Sequence, residues 1–208
     1  MEKSSAESLE EQKGTGRTEA FSDAIFAFAI TLLVLNLKVP GVGGGAPLSQ
    51  GLLDEWPTFF ALFTSFLTVL IMWVNHHNMF HYIQRIDKRF MFLNGLLMLF
   101  IVLTPFTTSL VAEHVLSADA WMAAAIYSGT FLLLAIVWNV LWRYSSTGHR
   151  LLRSSVTKEH ARTITRQYAV APISYLSALA VSFVSGLAGL VVVLIVAGFY
   201  AVTATMAN

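Results

Sequence analysis

Residues 17–37 read RTEAFSDAIFAFAITLLVLNL. The stretch opens on Arg17, Ser22 and Asp23 and runs on as an apolar segment from Ala24 to Leu35, interrupted by Thr31. An apolar helix of about 20 residues crosses the roughly 30 Å hydrocarbon core of a bilayer. Phe21, Phe28, Leu32 and Leu35 recur at helical spacing and fall near one face. A secretory leader places a short apolar core close behind a basic start. Here sixteen mostly polar residues come first, so the sequence predicts a retained membrane span. That leading segment, 1–16, carries Glu2, Glu7, Glu10 and Glu11 against Lys3 and Lys13 and reads as a mobile tail or frayed helix.

The remainder follows the same pattern. Of 208 residues, 56% are hydrophobic and 12% charged, where soluble domains carry about 25% charge. Mean hydropathy is +0.65. The expectation is an all-α integral membrane protein with one domain over 17–208. Its six spans lie at about 18–39, 52–77, 90–111, 120–142, 166–184 and 187–206. Residues 40–47, PGVGGGAP, form a flexible turn after the first span. The basic stretch from Arg143 to Arg162 has room to carry helices beyond the membrane on either side. Six spans place Lys3, Lys13, Arg17, Arg85, Lys88, Arg89, Arg143, Arg150, Arg153, Lys158, Arg162 and Arg166 on one side and Lys38 on the other. Such a bias predicts cytoplasmic termini in a cell membrane. A net charge of +1 gives no reason to expect nucleic acid.

Asp23 is the carboxylate inside the first span, where burying a charge costs about 2.5–3.5 kcal/mol on insertion scales. It sits about 140° around the helix from Phe28, away from the Phe28–Leu32–Leu35 face. Trp73, Asn75, His76 and His77 of the second span lie at matching depth and offer hydrogen-bond donors. Arg17 and Ser22 are positioned to extend that network. Two readings stand: a proton or ion site, or a polar clamp between helices. Thr31 either faces a pore or bonds its own i−4 carbonyl. The apolar face meets a pore, lipid or a neighbouring helix. His76 and His77 point about 100° apart and make poor joint metal ligands; His77 and His81, at i and i+4, read as a helix end facing water. The chain has no cysteine, nucleotide-binding glycine loop or nucleophile elbow, which argues against an enzyme. The carbonyl-filter sequence TVGYG is also absent.

Arg17-x-x-x-Phe21-Ser22-Asp23 with FAFAITLLVL at 26–35 resembles the first helix of the prokaryotic branch of the transmembrane-protein-175 potassium channels. Trp73-Val-Asn75-His76-His77, then Asn94-Gly-Leu-Leu-Met-Leu-Phe and Thr104-Pro105-Phe106, extend the resemblance over the first half of the chain. The resemblance implies a potassium-selective cation channel, a homotetramer in the bilayer with the first helix lining a central pore. It places constrictions at Phe28, Leu32 and Leu35 and a polar layer at Thr31. Phe28 stands where the family pattern leads one to expect Ile or Leu. Arg17, Phe21, Ser22, Asp23, Trp73, Asn75, His76 and His77 fall in a structural network. It implies no cofactor, and no metal beyond permeating K⁺. The competing expectation is a proton-coupled secondary transporter using Asp23 and the His76/His77 region, weakened by the lack of an internal repeat.

Overall fold

The computed structural model describes residues 2–39 and 47–206, with side chains over 14–39 and 47–202. Most of the glycine-rich turn lies outside the described residues. Helix α1 (Glu2–Leu33) ends in a 3₁₀ turn, Val34–Asn36. Its backbone is helical from Glu2. Then come α2 (Leu48–Asp54), α3 (Trp56–Tyr82), α4 (Lys88–His114), α5 (Ala120–Ser146), α6 (Lys158–Ser182) and α7 (Gly186–Met206).

Local chemistry sets these limits. Pro57 sits in the first turn of α3, where its missing N–H costs nothing. The second span therefore begins at Trp56, with α2 as a separate short helix, and runs past the expected His77 to Tyr82. Asp87 caps α4 by accepting from the Phe90 N–H at 2.8 Å, and Thr157 caps α6 by accepting from the His160 N–H at 3.1 Å. Pro105 lies inside α4. Around it Thr104 and Thr108 return their hydroxyls to the carbonyls of Phe100 and Thr104, so these polar groups are satisfied within the helix.

Among the described residues, four segments are long and apolar enough to cross a bilayer: Gly14–Asn36, Trp56–Tyr82, Lys88–His114 and Ala120–His149. α6 opens with Lys158, Glu159, Arg162 and Arg166, so its apolar part covers only its second half. α7 contributes a shorter apolar helix, Gly186–Val202.

α5 is the centre of the bundle, packed against α4, α6 and α7. Tyr127, Phe131, Leu134, Leu141 and Trp142 are buried along it. Helices in lipid gain little from apolar burial against one another. Close packing and interhelical hydrogen bonds at about 0.6 kcal/mol each hold them instead. Ser65 bonds Thr108 at 2.6 Å and Tyr127 at 2.9 Å, tying α3, α4 and α5. Trp142 donates to Thr165 at 2.9 Å, and Asn139 to the Tyr168 carbonyl at 2.8 Å, tying α5 to α6. At Gly186 the chain passes so near α5 that a Cβ would stand 2.4 Å from the Ala120 carbonyl oxygen.

The α3–α4 and α5–α6 loops meet at one end of the bundle. Ile83 and Leu152 form an antiparallel bridge. Gln84 N–H donates to Leu151 O at 2.8 Å and Arg153 N–H to Tyr82 O at 2.9 Å. The Arg85 guanidinium caps Arg150 O, and Thr15 of α1 donates to Gln84 O at 3.3 Å. Gly148, at φ +65°, makes the turn that sends the second loop back. As the basic 143–162 stretch implied, α5 and α6 extend past their apolar segments, to Ser146 and back to Lys158. At the opposite end Lys38 pairs with Glu113 at 3.3 Å.

Candidate functional site

α1 has two unlike faces. Ser22, Phe26, Ala29 and Leu33 recur at spacings of four, three and four and are buried against α3 and α4. Arg17, Phe21, Ala24, Phe28, Thr31 and Leu35 form a second row that the subunit leaves uncovered.

The buried face is fixed by two hydrogen-bonded chains. In the first, Trp73 Nε1–H of α3 donates to Asp23 at 2.9 Å. In the second, Asn94 of α4 stands between its neighbours. Its Nδ2–H donates to Ser22 at 2.8 Å and its Oδ1 meets His76 Nε2 at 3.0 Å. Oδ1 can only accept, so Nε2 carries the proton. Ser22 passes its own proton to the Thr18 carbonyl at 2.9 Å. His76 is fully buried among Phe26, Phe80 and Trp138, and its Nδ1 has no hydrogen-bond partner. The chains join α1, α3 and α4, and among the described residues no direct hydrogen bond links Asp23 to a histidine.

Of the residues expected in one network, Ser22, Asp23, Trp73 and His76 take part in these bonds, whereas Arg17, Phe21, Asn75 and His77 are placed elsewhere. Arg17 is exposed and makes no hydrogen bond or ion pair among the described residues. Phe21 is 60% exposed. Both lie one helical period apart on the uncovered row, so they cannot also reach α3. Asn75 folds back to its own i−4 carbonyl, Ile71 O, at 2.9 Å. His77, one position on from His76, turns instead to Glu19, its Nδ1 3.0 Å from the carboxylate. The residue that the network needs and the spacing argument missed is Asn94. Its signal was present as the lone amide near the start of the third apolar span.

On the uncovered row Phe28 is 64% and Leu35 74% exposed. Thr31 lies between them, exposed, and donates to its i−3 carbonyl, Phe28 O, at 2.8 Å. This occupies its proton and leaves its oxygen able to accept. Leu32 is only half-buried, lying between the two faces. Near the far end Asn36 accepts from Ser109 of α4, and its buried Nδ2 has no partner. Large apolar side chains flank the single Thr31 hydroxyl on this row, with no fixed charge on it between Phe21 and Val34. Such a surface can exclude water or admit a weakly hydrated ion; it carries no group for bond-making chemistry. Among the described residues, no three or more His, Asp or Glu side chains gather to hold a metal.

Comparison with known proteins extends the resemblance well beyond the first half of the chain. The family model for the endosomal/lysosomal potassium channel TMEM175 matches residues 17–105. A potassium channel of Chamaesiphon minutus is 46% identical over 177 residues, 84% of this chain and 87% of that one. A potassium channel of Streptomyces collinus is 39% identical over 173 residues, 82% of this chain and 84% of that one. The crystal structure of a lysosomal potassium-selective channel TMEM175 homolog from Chamaesiphon minutus superposes with a TM-score of 0.84 at 41% identity. That match covers 91% of this chain and 97% of the other. The later helices thus share the ancestry of the first three, and the chain belongs to the TMEM175 family.

Proposed function

We propose that this chain is a potassium-selective channel in which several copies surround a pore lined by the uncovered row of α1. The observation that carries this reading is the asymmetry of α1. One face is locked to α3 and α4 by Ser22, Asp23 and Phe26, while Phe28, Thr31 and Leu35 are left facing outward in the single subunit. The relatives, named as potassium channels, supply the permeant ion. They belong to a channel family rather than an enzyme family, and K⁺ is cargo rather than cofactor.

Four subunits form the pore, each with six membrane-crossing helices and both termini in the cytoplasm of a prokaryotic cell. The basic loop clasp then lies on the cytoplasmic side. Phe28, Leu32 and Leu35 make the apolar constriction and Thr31 the polar layer. A ring of phenylalanines excludes water, and ions cross when the ring widens or rotates. The Thr31 oxygens replace part of the lost hydration. K⁺ sheds water more easily than Na⁺, which favours it at such a ring.

Reversal potentials in bilayers under opposed K⁺ and Na⁺ gradients test this reading in wild type, Phe28→Ala and Thr31→Ala. Phe28→Ala is expected to raise the current by widening the ring, and Thr31→Ala to move the reversal potential toward that of an unselective pore. If both variants conduct and select like wild type, α1 does not form the constriction.

A further inference from the structure

The last turns of α3 hold three histidines, and the clamp uses only His76. His77 and His81 stand four residues apart, one above the other on the same helix face. Their Nε2 atoms lie 3.1 Å apart, with the rings nearly perpendicular at 88°. His77 Nδ1 faces the Glu19 carboxylate at 3.0 Å. A carboxylate accepts, so Nδ1 carries the proton and the Nε2 lone pair points at His81. Both rings reach water: the His77 side chain is 44% exposed and His81 is exposed.

Two nitrogens bound to one tetrahedral ion at about 2.0–2.1 Å stand roughly 3.3–3.4 Å apart. The His77–His81 pair already lies within a few tenths of an ångström of that separation, held there by helix geometry. A carboxylate behind the first imidazole is the arrangement that fixes a metal-binding histidine in the correct tautomer and raises its basicity. We propose that His77 and His81 chelate a divalent transition-metal cation through their Nε2 atoms, with Glu19 orienting His77 from α1. Imidazole ligands suit Zn²⁺, Cu²⁺ and Ni²⁺. Glu19 meets the opposite nitrogen of His77, so the protein supplies two ligands, and water completes the coordination. Loading requires His81 to carry its proton on Nδ1, which frees its Nε2 lone pair for the cation. A bound cation makes the His77 Nδ1–H a stronger donor to Glu19 and so tightens α1 against the end of α3.

This site stands independently of the channel reading, because binding is measured without ion flux. The probe is ZnCl₂, titrated into the purified full-length protein, affinity tag removed, in competition with a metallochromic dye. Saturable binding of one Zn²⁺ per chain is expected. His81→Ala, an exposed position outside the clamp, should weaken it at least tenfold while the protein elutes as before. Glu19→Gln should weaken it by about tenfold at unchanged stoichiometry. His160, which lines a cavity of about 440 Å³ with His81, is the control, and His160→Ala should bind as wild type does. Absence of saturable binding, or binding equally tight in His81→Ala, overturns the proposal.

Discussion

Asn94 does with one amide what no carboxylate could do at that depth: it donates to Ser22 and accepts from His76 at the same time. Asn94→Ala leaves the buried His76 Nε2–H without a partner, a loss of about 1–3 kcal/mol. A lowered thermal midpoint in detergent is the expected readout, with smaller loss for Asn94→Gln if the longer amide regains one bond. Asp23 separates clamp from carrier. In Asp23→Asn an amide oxygen still accepts from Trp73, so K⁺ conduction is expected to persist; a proton-coupled carrier would lose coupling. The sequence made Ser22, Asp23, Trp73 and His76 legible, because polar side chains inside apolar spans have few places to go. It misplaced Arg17 and Phe21, which belong to the motif by spacing yet share the angular position of Phe28. A motif records which residues occur together, whereas the helical period of 3.6 decides which face each one joins. Glu19 leaves no sequence signal for a related reason. It lies at the polar end of α1, and only the register of α1 against α3 brings it to His77.

Among the elements, the helices were readable from runs of apolar residues, and their ends were not. Hydropathy marks where lipid begins, but a helix continues while its backbone bonds and caps permit. α1 therefore reaches back to Glu2, α3 runs on to Tyr82 and α6 starts at Lys158, each beyond its apolar core. The loop clasp between Ile83 and Leu152 was equally hidden, being made of backbone hydrogen bonds that leave no composition signal. Beside the clasp, Asp87 accepts from the Tyr144 hydroxyl and caps α4. Partial burial raises its pKa, but the Tyr144 hydroxyl, the Phe90 N–H and the nearby Arg150 outweigh this and hold it below its ordinary value. A depressed folded-state pKa means that the ionised carboxylate stabilises the fold above the unfolded value of 3.8. That contribution is lost as pH falls through the lower folded value. Asp87→Asn is expected to remove this part of the acid sensitivity, read as a flatter dependence of the thermal midpoint on pH below about 4. At the other end, Gly186→Val places a side chain into the Ala120 carbonyl. Backbone cannot give way cheaply there, so poor yield of folded protein is expected, while Gly198→Ala, with open space around its Cβ position, should be tolerated.

At the scale of the whole molecule, the order of helices and the gathering of basic loops at one end follow from the charge pattern of the chain. The assembly leaves a fainter trace. A row bearing Phe21, Phe28 and Leu35 looks the same in sequence whether it meets lipid, a partner or a pore, because all three accept apolar side chains. Only the contrast with the locked opposite face singles it out. A tetramer predicts a protein mass in detergent of four times 22.9 kDa, measured by light scattering with the detergent contribution subtracted; a monomer would leave the row facing lipid. If this chain alone forms a potassium-selective pore, purified wild-type protein in liposomes or planar bilayers under opposed K⁺ and Na⁺ gradients carries a current that reverses close to the K⁺ equilibrium potential. The absence of any current from pure protein, or reversal at the Na⁺ equilibrium potential, would show that it does not.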